Sequence, residues 1–177
     1  MTGPAALLRG LDRRRVNLLG FLACAAALAF AMYAQYGMGL TPCHLCIFQR
    51  VEVAALGVVF LLAALHNPGD AGARFYAVLI LLAAAVTAVT AGRHVWIQLQ
   101  PPGSVPGCGA DLDFMLEVLP LMQVIIKVFQ AGGECAKVDF SVLGISMPGW
   151  VLVFVVVVGA AGAWANLKLS TRGQTPP

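Results

Sequence analysis

The sequence predicts an all-α membrane protein: a bundle of four transmembrane helices with a long outer loop carrying a short interfacial helix. Three observations lead there. Of 177 residues, 60% are hydrophobic and 11% are charged, against roughly 25% charged in soluble domains. A soluble core of this size cannot bury that excess. Four apolar runs approach the roughly 20 residues that a helix needs to cross about 30 Å of hydrocarbon. The polar residues gather in the segments between the runs. The net charge of +3 comes without a basic block or aromatic-basic interleaving, so nucleic acid is excluded as a partner.

The elements follow in order. Met1 to Arg15 is a polar head with Arg9, Arg13, Arg14 and Arg15 against Asp12. Val16 to Tyr36 is the first span. A basic head before an apolar run resembles a signal peptide, but this run is longer than an h-region and Gln35-Tyr36-Gly37 follows in place of a small-residue cleavage site. A retained helix is expected. The outer segment 37–46 leads into the second span, 47–65. His66 to Arg74 is a turn with Asn-Pro-Gly as the breaker. The third span is 75–91, and a long outer loop occupies 92–149 before the fourth span, 150–167. Together the four spans make a single integral membrane domain over 1–177.

Four spans put both termini on one side. Arg9, Arg13, Arg14, Arg15, Arg74, Lys168 and Arg172 lie there; Arg50, Arg93, Lys127 and Lys137 lie on the other. Asp111, Asp113, Glu117, Glu134 and Asp139 are all in the long loop. The positive-inside rule then makes the termini cytoplasmic and the cysteine-bearing loops external. Within the long loop, Gln100 to Gly107 carries three prolines and breaks any helix around Cys108. Asp111 to Gln130 is too apolar for a free loop and too interrupted, by Glu117, Pro120 and Lys127, for a fifth span. An amphipathic helix on the membrane surface fits it. Glycines 132 and 133 end that helix just before Cys135.

The chemistry resides in the cysteines. Thr41-Pro42-Cys43-His44-Leu45-Cys46-Ile47-Phe48-Gln49-Arg50 is a Cys-x-x-Cys at the mouth of the second span. With a helix starting near Pro42, Cys43, Cys46 and Arg50 share one stripe. The positive helix end and the guanidinium both favour thiolate, the reactive form of each sulfur. Cys24, Cys108 and Cys135 complete a set of five. Cys24 is mid-span and reads as packing; the other four allow three pairings. Zinc is not expected, because neither Cys108 nor Cys135 belongs to a second Cys-x-x-Cys or a His pair. Covalent haem is excluded by Ile47, which stands where a histidine is required. The alternatives are a redox-active centre or a membrane scaffold whose disulfides only brace its loops.

These motifs, with Gly132-Gly133-Glu134-Cys135 and Ile145-Ser146-Met147-Pro148-Gly149-Trp150 before the last span, resemble the DsbB family of bacterial inner-membrane disulfide-bond formation proteins. The resemblance runs from the first span to the fourth. It implies a quinone-dependent protein-disulfide oxidoreductase that reoxidises a periplasmic thiol oxidase of the DsbA type. It pairs Cys108 with Cys135, and Cys43 with Cys46. Cys108 would form the mixed disulfide with the partner, Cys135 would exchange with Cys43, and Cys46 would meet the quinone, ubiquinone or menaquinone, beside Arg50. His94 and Gln98, one turn apart, would hydrogen-bond the same quinone. A same-fold oxidase serving a specialised partner is the nearer alternative. Gln49 stands where the family can carry an acid, and Glu52 where a small or apolar residue is common. Glu52 is about 200° around the helix from Arg50, so the two are not expected to pair.

Overall fold

The computed structural model describes residues 12–101, 117–130, 134–138 and 140–169. Five helices are seen among them: α1 (Arg13–Tyr36), α2 (His44–His66), α3 (Asp70–Gln98), α4 (Leu121–Gln130) and α5 (Met147–Lys168). A 3-10 turn spans Glu134–Ala136, and a two-residue hairpin pairs Ser141–Val142 with Ile145–Ser146. α1, α2, α3 and α5 are each long and apolar enough to cross a membrane. The chain is an all-α bundle of four membrane-spanning helices.

Local chemistry explains the boundaries. Asp12 caps α1 by accepting the Arg15 N–H. α2 ends where Asn67 turns left-handed at φ 39° and Pro68 follows. Asp70 lies in the first turn of α3, where the helix dipole favours an acid. Pro148 occupies the first turn of α5, where no N–H is needed. The hairpin turns at Leu143 and Gly144, both with positive φ (54° and 78°), as a two-residue turn between twisted strands demands. Trp150 closes it by donating its indole N–H to the Val142 carbonyl.

The third span differs from expectation. α3 continues to Gln98, seven residues past the expected end at 91. No breaker occurs before Pro101, so the helix carries His94 and Gln98 along its last two turns instead of releasing them into the loop. In the outer loop, α4 starts immediately after Pro120, which can open a helix but not sit inside one. Cys108 and residues 111–116 lie outside the described residues.

The bundle leaves many large apolar side chains outward, as lipid permits. Its centre is Phe60, fully buried with Leu56, Ile80, Val155, Val53, Ala84 and Cys24. Cys24 is a packing residue, as expected. A Cβ on Gly162 would overlap Phe60 Cε1 and Cζ, and one on Gly20 would come within 2.8 Å of Phe60 Cδ1. Two glycines therefore make the space for one ring. Glu52 faces the bundle interior: its Oε1 accepts the Thr90 hydroxyl at 2.8 Å, while Oε2 is buried with no hydrogen-bond partner among the described residues. At one end the buried Arg13 donates to the Leu169 and Pro68 carbonyls and to Asp70 at 3.0 Å. This guanidinium ties the start of α1, the α2–α3 turn and the end of α5 together. Nearby, Asn17 and Asn166 exchange amide hydrogen bonds across α1 and α5.

The Phe60 arrangement has a measurable consequence. Gly162→Ala should destabilise the bundle by about 1–3 kcal/mol through overpacking. In a Phe60→Leu background most of that cost should vanish, in thermal or denaturant unfolding in detergent. Equal costs in both backgrounds would show that the ring is not what the glycine accommodates.

Candidate functional site

The other end of the bundle holds the sulfurs. Cys43 is the N-cap of α2 and Cys46 lies in its first turn. A cap residue is extended and the next residues are helical, so the two Sγ atoms point the same way across one turn. They lie 3.2 Å apart, with the Cys43 thiol donating to Cys46. The pair is thus described as the dithiol.

His94, on the penultimate turn of α3, is 2% exposed. The Gln49 amide N–H donates to its Nδ1 at 3.1 Å, and its Nε2 faces Cys43 Sγ at 3.7 Å. With Nδ1 accepting, the ring proton sits on Nε2. The ring also hydrogen-bonds the backbone of Cys135. The Cys135 side chain hydrogen-bonds Cys43. Cys135 is buried in an apolar cluster with Leu45, Ile97 and Val124, and Cys43, Phe48, Leu119 and Ala136 pack against it. The loop after α3 therefore returns to the bundle mouth. Val124 of α4 and Cys135 cover the ends of α2 and α3.

Three of the four expected cysteines meet here, together with His94. Cys108 lies outside the described residues, so its expected pairing with Cys135 is not on view. Arg50 sits on the expected stripe, but its guanidinium turns toward α1. It donates to the Ala31 carbonyl at 3.0 Å and to Gln35 Oε1, with Met32 Sδ 3.8 Å away. Its charge still acts on Cys46. Gln98 is half-buried one turn beyond His94. Glu52 and Arg50 face different helices, as their angular separation required.

One expectation needs correction. Cys43 is not held as a thiolate. Its hydrogen bond with Cys135 favours the thiolate, but the bond it donates to Cys46, its burial and the Cys46 charge outweigh this. The thiol is pushed up to about 12. The helix dipole is a fraction of a charge, and it loses to a neighbouring sulfur at 3.2 Å. The sequence argument also missed Gln49, which is 4% exposed and orients His94. The available signal was an amide within an apolar helix, a costly placement unless it has a partner. As for ligand capacity, the Cys43, Cys46 and His94 ligand atoms all lie within 4.8 Å of one another.

The thiol geometry predicts an alkylation pattern. In the reduced protein, Cys43 should react with iodoacetamide at least tenfold more slowly than an unperturbed cysteine at pH 8, with the rate climbing as pH rises toward 12. Peptide mass spectrometry across a pH series reads this directly. A Cys43 rate that levels off near pH 9 would show an ordinary thiol.

Comparison with known proteins accords with the geometry. The family model described as disulfide bond formation protein DsbB matches residues 13–165. A disulfide bond formation protein B from Methylococcus capsulatus is 48% identical over 160 residues, covering 90% of this chain and 93% of that one. The protein of that name from Chromohalobacter salexigens is 47% identical over 152 residues, covering 85% and 88%. The one from Nitrosococcus oceani is 46% identical over 154 residues, covering 87% and 91%. With a dithiol at the mouth of a four-span bundle and relatives matched along nearly their whole length, this chain belongs to the DsbB family of disulfide bond formation proteins.

Proposed function

We propose that the chain reoxidises a periplasmic thiol oxidase of the DsbA type and passes the electrons, through its two cysteine pairs, to a membrane quinone. The single observation that carries this reading is the meeting of Cys43, Cys46 and Cys135 beside His94 at one end of the bundle. Disulfide exchange needs a sulfur to approach a sulfur, and Cys135 is already against Cys43. The reduced partner would attack Cys108 of a Cys108–Cys135 disulfide and leave as its own disulfide. The released Cys135 thiol then attacks Cys43 of the Cys43–Cys46 disulfide and frees Cys46, and the Cys108 thiol attacks Cys135 of that mixed disulfide, which restores Cys108–Cys135 and frees Cys43. Two electrons and two protons arrive at Cys43 and Cys46.

A DsbA-type oxidase has a potential near −120 mV, so its reoxidation requires a strongly oxidising acceptor. A quinone supplies that by taking two electrons and two protons when bound. The residues present fit such a ring. Its oxygens require donors, and the Arg50 guanidinium and the Gln98 amide lie on the first turns of α2 and the last turn of α3; the buried His94 N–H, which faces Cys43, would reach an oxygen only by giving up that contact. Val51, Trp96 and Leu99 are exposed beside them, an apolar approach for a lipid-soluble molecule. Ubiquinone and menaquinone share this chemistry. Arg50 would leave its α1 partners or extend past them to reach an oxygen, where it favours negative charge.

The location follows from the same reading. The mouth faces an oxidising compartment in which disulfides persist. The Arg13, Arg74 and Lys168 end faces the cytoplasm, as the charge bias requires. The protein would sit in the bacterial inner membrane with both termini cytoplasmic and the cysteine loops periplasmic. The exposed Leu121, Met122 and Ile126 of α4 would rest on the bilayer surface.

Quinone absorbance tests the reading. Purified protein given a reduced DsbA-type partner should bleach ubiquinone or menaquinone. Cys46→Ser should abolish this while still accumulating a mixed disulfide between Cys108 and the partner. Wild-type turnover by Cys46→Ser, or no quinone reduction by the unaltered protein, overturns the assignment. Arg50→Ala should raise the apparent KM for quinone about tenfold or more and leave exchange at Cys108 intact. Unchanged quinone kinetics would confine Arg50 to its α1 contacts.

A further inference from the structure

We infer that the dithiol form of this protein is a soft-metal site, in which Cys43, Cys46, Cys135 and His94 bind one cation of the Zn2+ class, and that the disulfide form is not. The inference rests on Cys43, Cys46 and His94, whose ligand atoms all lie within 4.8 Å of one another, with Cys135, hydrogen-bonded to Cys43, as a fourth donor that has to close in on the other two; it does not rest on the identity of the electron acceptor. Tetrahedral zinc with bonds of about 2.3 Å to sulfur and 2.0–2.1 Å to nitrogen places neighbouring sulfurs about 3.8 Å apart, and sulfur and nitrogen about 3.6 Å apart. Cys43 Sγ and His94 Nε2 are 3.7 Å apart already. The Cys43 and Cys46 sulfurs, at 3.2 Å, have to part by only about 0.6 Å. Cys135 brings a third sulfur, in a hydrogen bond with Cys43. Three thiolates and an imidazole are the donor set of a closed structural zinc site.

The surroundings suit a metal. His94 must present a bare Nε2, which requires its proton on Nδ1. Gln49 meets Nδ1 at 3.1 Å, and an amide serves both tautomers: its N–H donates to a bare Nδ1, and after a half-turn its Oε1 accepts from a protonated one. That is the outer-shell partner that metal-ligating histidines characteristically have. Binding replaces three thiol protons with one dication, so three protons are released and the centre carries one negative charge. The Arg50 charge, which reaches Cys46, offsets it. Leu45, Ile97 and Val124 exclude water around the third sulfur.

The site is gated by oxidation state. A sulfur tied in a disulfide is not a thiolate ligand, so oxidation of Cys43 to Cys46, or of Cys135 to another cysteine, dismantles the set. Conversely, a bound cation keeps all three sulfurs reduced and blocks their exchange. Metal excess would therefore arrest the protein in its electron-loaded state. The ligands come from the start of α2, the end of α3 and the 3-10 turn, so no spacing pattern exposes them.

The test is cadmium titration of the purified full-length chain, reduced with a phosphine and then fully oxidised. The reduced form should show the thiolate-to-metal charge-transfer band saturating at one equivalent, and the oxidised form no band. His94→Ala and Cys135→Ser should each weaken binding tenfold or more, and Gln49→Leu by about tenfold. Cys24→Ser, at a packing residue of the bundle centre, should bind as the unaltered chain does. Because a ligand variant can fail to fold, the cadmium-113 resonance of the unaltered reduced protein gives a second reading: it should fall in the range for three sulfurs. A two-sulfur resonance, equal binding by oxidised protein, or full affinity in both His94→Ala and Cys135→Ser overturns the site.

Discussion

The whole functional end of this protein depends on the burial of one imidazole. His94 touches α2 twice, through Gln49 and Cys43, and holds the returning loop through the backbone of Cys135. Three segments that are remote in sequence are thereby fixed at one ring. The ring's two nitrogens are chemically distinct. One is occupied by an amide that orients it; the other is turned to sulfur. A polar group at this depth is costly unless fully satisfied, and its satisfaction is what positions the cysteines. The bundle below supplies the rigidity: Phe60 seated on two glycines at the centre, and the Arg13 clasp at the far end.

The sulfur pair is asymmetric by construction. Cys43 lies in the extended cap and Cys46 in the first helical turn. The former donates to the latter, so any negative charge on the dithiol concentrates on Cys46. The proposed roles, Cys43 exchanging with Cys135 and Cys46 meeting the quinone, would use that asymmetry. The same asymmetry explains why burial does not simply quench the site. A buried thiolate needs a donor, and Cys46 has one at 3.2 Å.

Much of this was legible from the residues. The four spans stood out because lipid imposes a length and an absence of charge that few other folds share. The Cys-x-x-Cys stripe was legible because helix periodicity is strict. The true end of α3 was not, because Gly92-Arg93-His94 looks polar enough to leave the membrane, although nothing in it breaks a helix. The inward turn of Glu52 was also undecidable: its partner, Thr90, lies on another helix. Likewise Gln49 and His94 are 45 residues apart, and only the antiparallel packing of α2 and α3 brings them together. Arg50 shows the limit from the other side. Its stripe was right, yet a long side chain has several partners in reach, and α1 offers a carbonyl and an amide.

The docking of Cys135 ties these points to mechanism. In the proposed exchange Cys135 serves two successive partners, which calls for a resting place from which it can depart. An apolar seat gives that: Leu45, Ile97 and Val124 hold it without directional bonds, and dispersion contacts are individually weak. The Cys135 side chain adds a hydrogen bond to Cys43, and its backbone adds one to His94. Departure in the proposed exchange would break these bonds and the apolar contacts and leave the four spans in place.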